Sequence, residues 1–181
     1  NDVGIRQYTY NGTTGAITDN GYLVTVQSSG RPQEGGLNIL APYDMEIDTT
    51  RNVLYFTEQL AGTAISEGLF RLSLSSPNTI VQVVSQAQFP DNASNGFIYD
   101  VEVDSSTNIA YFTTTGGAPS PGAYNAAQDQ IWYVTNASTA SGATAVALTL
   151  FDTNGTTNFR TVGLGSIFFP QSLIFDQSTR Q

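Results

Sequence analysis

One fifteen-residue stretch occurs twice, and it limits what this chain can fold into more than anything else in it. Residues 43–57 read Tyr-Asp-Met-Glu-Ile-Asp-Thr-Thr-Arg-Asn-Val-Leu-Tyr-Phe-Thr, and residues 99–113 read Tyr-Asp-Val-Glu-Val-Asp-Ser-Ser-Thr-Asn-Ile-Ala-Tyr-Phe-Thr. Eight of the fifteen positions are identical at a constant offset of 56. A weaker third copy begins at Pro170 and continues as Ser172-Leu173-Ile174-Phe175-Asp176-Gln177-Ser178-Thr179-Arg180. Repetition at such a spacing marks architectures in which like units stack, because a single unit cannot bury its own apolar face.

Each copy reads as a β-hairpin. Met45 and Ile47 alternate with Asp44, Glu46 and Asp48, which is the period of a strand. Asp48-Thr49-Thr50-Arg51-Asn52 is a turn whose Asp and Asn can hydrogen-bond the backbone. Val53–Thr57 is then β-branched and aromatic, as strands prefer. Two further strands follow each hairpin. After the first come Leu69–Leu74 and Ile80–Val84, joined through Ser75-Ser76-Pro77-Asn78; after the second come Ile131–Val134 and Ala145–Leu150. The unit is therefore four antiparallel strands over about 55 to 70 residues, the content of one propeller blade. Upstream, Ile5–Tyr10 and Tyr22–Val26 read as the third and fourth strands of a blade, with Asp19-Asn20-Gly21 as the tight turn between them. No long helical period occurs.

The expected fold is all-β: propeller blades of four antiparallel strands in an incomplete ring of about two and a half blades. The divisions are a partial blade at 1–30 (outer two strands), whole blades at 41–90 and 97–152, and the start of a further blade at 169–181. An apolar strand, Asp-x-x-x-x-Asn and then Leu54-Tyr55-Phe56-Thr57-Glu58 or Ala110-Tyr111-Phe112-Thr113-Thr114 resembles the repeats of NHL and YWTD-type propellers. Phe stands where those repeats carry Trp, and their closing Asp is Glu in one copy and Thr in the other. The resemblance covers roughly three quarters of the chain and describes blade architecture. Fold alone does not select a function. Propellers close with about four to eight blades, so remaining blades or another chain are needed to complete the ring.

Composition narrows the partners. Fifteen acidic and six basic residues leave a formal charge of −9, and every basic residue is an arginine. Scattered single arginines do not form the cationic stripe that nucleic acid requires. No apolar run is long enough for a membrane span, so neither nucleic acid nor membrane insertion is expected. Ser, Thr, Asn, Gln and Gly dominate the polar positions and lysine is absent, which is the habit of exported and cell-surface proteins. The expected location is extracellular, periplasmic or the cell surface. Residues 1–20 do not read as a signal peptide, so an export signal would lie upstream or have been removed.

Chemistry is limited by the absence of histidine and cysteine, which removes Ser-His-Asp, Cys-His and histidine-ligated zinc sites from residues 1–181. What remains is carboxylates. Asp44, Glu46 and Asp48 fall on one face of a strand, as do Asp100, Glu102 and Asp104. Asp48, Asp104 and Asp176 read as turn residues, because the third copy keeps the Asp while Ser172 and Ile174 replace its acidic neighbours. Asp44, Glu46, Asp100 and Glu102 are then candidate metal ligands on innermost strands, suited to a hard cation such as Ca²⁺. Other propellers, the gluconolactonase-type lactonases, hold a divalent metal in their channel, although their ligand pattern is not matched residue by residue. Asp91-Asn92-Ala93-Ser94-Asn95-Gly96 and Asp152-Thr153-Asn154-Gly155 read as turns, and the loop 116–124 with Tyr124 as an exposed connection. The leading expectation is a non-enzymatic module for adhesion, surface-layer-like assembly or binding of a protein or carbohydrate ligand. The alternative is part of a metal-dependent, lactonase-like hydrolase with further ligands on other blades.

Overall fold

In chain order the strands are Val3–Tyr10 (β1), Ile17–Val26 (β2), Gln33–Glu34 (β3), Leu37–Asn38 (β4), Pro42–Asp48 (β5), Val53–Glu58 (β6), Gly68–Ser73 (β7), Ile80–Ser85 (β8), Phe97–Asp104 (β9), Ile109–Thr115 (β10), Gln130–Thr135 (β11) and Val146–Ala147 (β12). The structure is a computed structural model and describes residues 3–26, 33–34, 37–38, 42–58, 68–75, 80–85, 88, 97–115, 130–148 and 173–174. These residues are all-β, and every strand pairing is antiparallel. No helix among them is long and apolar enough to cross a membrane.

Two four-stranded sheets carry the repeats, ordered β5-β6-β7-β8 and β9-β10-β11-β12. The hairpin turn forms as its sequence predicts. Asp48 Oδ1 accepts the N–H groups of Thr50 and Arg51, and Asp104 Oδ1 those of Ser106 and Thr107. Asn52 and Asn108 take the left-handed conformation, with φ of 57° and 60°, which Asn tolerates better than most residues. Their carbonyls then accept the N–H of Leu74 and of Ala137, tying the turn to the end of the third strand.

The first sheet is packed on both faces. Alternation along β6 sends Val53 and Tyr55 one way and Leu54 and Phe56 the other. Val53, Tyr55, Leu69, Val83 and Val84 join Val101, Val103, Ala110, Phe112 and Val134 of the second sheet in one core. Leu54, Phe56, Phe70, Leu72 and Ile80 join Ile5 of β1, with Leu23 of β2 against them, in another. Burying each such side chain contributes about 1.5–3 kcal/mol, so the stacking of sheets, not pairing within them, is the main source of stability. The segment after β11 also crosses between sheets. Gly142 and Ala143 donate their N–H groups to the carbonyls of Gln82 and Val83, and Arg71 Nε donates to the Ala140 carbonyl at 3.0 Å.

Two expectations need correction. The turn between β1 and β2 lies at Asn11–Ala16, not at Asp19-Asn20-Gly21. Asn11 Oδ1 accepts the N–H of Thr13 and Thr14, and Gly15 supplies a φ of 72° that side-chain-bearing residues resist. Asp19 and Gly21 instead pair with Tyr8 and Gln7 inside β2, and Asn20 between them is the extra residue at which the register slips, with Gly21 at φ 86°. The fourth strand of the second sheet, expected over Ala145–Leu150, starts at Val146: Ala145 donates its N–H to Gln88 Oε1 instead, while Leu148 still donates to the Ile131 carbonyl of β11, and 149–150 lie outside the described residues. The short pair β3-β4 had no counterpart in the sequence reading. Of the third repeat copy only Leu173 and Ile174 are described, so Asp176 lies outside the described residues.

Candidate functional site: the carboxylates of the repeated inner strands

β5 and β9 are edge strands of their sheets, and they lie side by side. Each begins with an irregular register: the β5–β6 pairing shifts between Pro42 and Met45, and the β9–β10 pairing shifts between Phe112 and Thr114. At these irregularities the N–H of Asp44 is accepted by Thr57 Oγ1, and that of Asp100 by Thr113 Oγ1, both at 3.2 Å. A threonine from the second strand thus replaces a missing ladder bond in each copy.

The same groups reach into the next copy. Asp44 Oδ2 accepts the N–H of Val101 at 2.9 Å, and the Thr57 hydroxyl donates to the Tyr99 carbonyl at 2.9 Å. One copy further on, Asp100 Oδ2 accepts the N–H of Leu173. Met45, Val101 and Leu173 are equivalent positions of the three copies. The rule is therefore uniform: the aspartate of one copy holds the following residue's equivalent in the next. Tyr43 and Tyr99, also equivalent, meet edge-to-face with ring centroids 5.4 Å apart. At the far end of the strands Arg51 Nη1 donates to Asp48 Oδ2 at 2.8 Å and to the Ser105 carbonyl at 2.5 Å, bridging the two turns. Charge-assisted bonds of this kind are the strong ones.

Electrostatics separates the six acids into two classes. Burial alone would raise Asp48 and Asp104, but their hydrogen bonds outweigh it. Arg51 and the Ser105 side chain hold Asp48 below the usual carboxylate range, and Ser106 and Thr107 hold Asp104 at about 2. Asp100 moves the other way. Burial first, then a shared hydrogen bond with Asp44 and the nearby charges of Asp44 and Glu102, push it up to about 7. Glu46 is raised by burial and then by the charges of Glu102 and Asp44. The charges of Asp44 and Glu102 are thus felt by both Glu46 and Asp100. The three described arginines are bonded elsewhere: Arg6 to Asp19, Arg51 to Asp48 and Ser105, and Arg71 to Ala140.

This arrangement makes a test. An ordinary aspartate loses its proton near 3.9, whereas folded Asp100 keeps it up to about 7. The folded state binds more protons across that window, so Asp100's contribution to stability is complete below about 3.9 and is lost as pH rises through 7. Asp100→Asn keeps an oxygen for the Leu173 N–H and an amide for Asp44 without the titration. Melting curves from pH 4 to pH 8 are expected to show the variant gaining steadily on the parent. Parallel profiles would contradict the shared proton.

Chemically, the site as placed holds backbone. Asp44 and Asp100 each accept a main-chain N–H, and among the described residues no three acidic groups converge as a metal-ligand set. Thr57 and Tyr43, which contact the next sheet, and Thr113, which bonds Asp100 within its own, were missed by looking for charge. Their signal was identity between the two copies. Asp91–Gly96, Asp152–Gly155 and the loop 116–124 with Tyr124 lie outside the described residues. Trp132 is committed to structure, its indole N–H donating to Thr114 Oγ1 at 2.8 Å. No protein-family model, curated protein or solved structure matches the chain.

Proposed function

We propose that residues 1–181 supply consecutive blades of a β-propeller in an exported or cell-surface protein, where they act as a non-catalytic module for adhesion, assembly or ligand binding. The observation that carries this reading is the repeated bond from an aspartate of one copy to the main chain of the next. A pattern that binds copy to copy by the same atoms can be continued around a ring. Asp44 and Asp100, two of the four candidate acids, are used in that scaffold, and the chain lacks histidine and cysteine. Partners would then be engaged by loops at the ends of the sheets, as on other scaffolds of rigid strands, and would be proteins or carbohydrates.

Mild protease treatment of intact source cells tests the location. Peptides of this chain are expected in the released fraction before lysis; their appearance only after lysis would contradict a surface or exported protein. Electron-microscopic images of the full-length protein test the ring, and particles without a closed ring would refute it.

Calcium is the secondary part of the proposal. Glu46 and Glu102 lie beside Asp44 and Asp100, and a cation drawing in all four would displace the proton of Asp100. That gathering of acids also favours the second reading, a metal-dependent lactonase-like hydrolase completed by other blades. Calorimetric titration with Ca²⁺, combined with lactone-hydrolysis assays on the full-length protein, separates them. Heat of binding without turnover supports a calcium-stabilised scaffold, turnover supports the hydrolase, and neither removes the metal.

A further inference from the structure

The two copies of the repeat provide an internal control for a missing neighbour. Val101 and Val103 of β9 are 2% and 0% exposed because the first sheet covers them. Their equivalents in β5, Met45 and Ile47, are 50% and 48% exposed, and Tyr43 beside them is 57% exposed. The rest of that face is covered: Leu54, Phe56, Phe70 and Leu72 are buried against β1 and β2. The uncovered area is thus confined to the inner strand. Next to it, among the described residues, β1 pairs only with β2, so its other edge carries main-chain groups that no described strand pairs.

We infer that the Tyr43-Met45-Ile47 face and the open edge of β1 form a docking site for one occupant, a two-stranded hairpin of the repeat's own chemistry. Its first strand lies over Met45 and Ile47 and presents an aspartate to the Met45 N–H, as Asp44 does to Val101. Its second strand pairs antiparallel with β1, as β6 pairs with β7. Continuity with the existing interface selects this occupant. Met45 is opposite Phe56 in the register that places Val101 opposite Phe112, so both edge strands offer the same main-chain group and the same apolar stripe. This inference rests on the blade reading above and names the partner that the first sheet requires.

Met45 is the only methionine in the chain, so its oxidation by peroxide, followed as a one-oxygen gain in intact mass, reports coverage of this face directly. The probe is a synthetic peptide of residues 98–114, the copy of the hairpin that carries Val101 where the first copy has Met45 and so adds no methionine, with the same hairpin tethered ahead of residue 3 through a copy of residues 59–67 as the second form. At a peptide concentration about ten times its Kd, oxidation is expected to slow about tenfold by mass action. The tethered form is expected to slow it without added peptide. An Asp100→Ala change in the added hairpin is expected to weaken protection at least about fivefold, since it removes a charge-assisted bond. Oxidation unaffected by either form would overturn the site. Equal protection by the alanine hairpin would overturn the aspartate contact. Slow oxidation that appears with rising concentration of the chain alone would assign the face to a second copy, and slow oxidation at every dilution to the chain's own residues; both overturn the hairpin. A ring in the full-length protein together with no hairpin protection refutes this docking alone, whereas protection without a ring refutes the propeller reading.

Discussion

Phe56→Ala is expected to destabilise the chain by about 3–5 kcal/mol, measured as the loss of unfolding free energy in urea. Phe56 is fully buried and stacks on Phe70 with ring centroids 5.5 Å apart, in the cluster that holds Ile5 of β1 and Leu72 of β7. Truncation removes the aromatic transfer energy and leaves a cavity between two sheets that cannot close on it easily. The loss has a direction as well as a size. Amide exchange should speed up most in β1 and β2, which rest on this cluster, and less in β9 and β10. The equivalent Phe112→Ala, in the core between the two four-stranded sheets, should reverse that pattern. A cost below about 1 kcal/mol, far under the range for a buried phenylalanine, would show that the β1–β2 pair is not packed where it is described.

Asp104→Ala is expected to cost about 3 kcal/mol, with Asp104→Asn recovering a good part of it. Asp104 is buried and accepts bonds from the N–H groups of Ser106 and Thr107 and from both of their hydroxyls. Removing the carboxylate leaves those donors without their acceptor, and bonds to charged groups are each worth about 1.5–3 kcal/mol. Asparagine keeps one acceptor oxygen and the turn geometry it supports. The pH dependence gives a second measure. Folded Asp104 titrates at about 2, below the ordinary value near 3.9. Its contribution is therefore present above about 3.9 and is lost as pH falls through 2. The alanine variant should lose part of the acid-unfolding slope in that window. An unchanged acid limb would mean the carboxylate is not bonded as described. Asp100 erodes stability on the opposite side, toward neutral pH, so the parent chain should be most stable in mildly acidic solution.

The hairpin and its turn were legible because their causes are local. Asp48 and Asp104 accept N–H groups two and three residues ahead in a short loop, and Asn52 and Asn108 close the same loops in the left-handed conformation. The aspartate at Asp19 misled for the same reason. Asp-Asn-Gly is a good turn in isolation, yet Asn11 and Gly15 made a better one, and Gly21 was absorbed as an irregularity within β2. The path of the chain ahead of β12 was not legible at all, since Gly142 and Ala143 bond to a strand sixty residues earlier in the chain.

By itself, the sequence determined that the chain is built of repeated antiparallel units and which residues turn the two repeated hairpins. It also determined that Asp44, Glu46, Asp100 and Glu102 share a strand face, because alternation along a strand is a property of the backbone. Which main-chain groups Asp44 and Asp100 bond was decided only by the tertiary structure. The spacing is equally compatible with a cation site and with bonds between sheets. The choice depends on how far apart neighbouring sheets sit and where the next copy's main chain falls. With Val101 N–H 2.9 Å from Asp44 Oδ2, that distance is set by the apolar cores between the sheets, and no reading of one strand contains it.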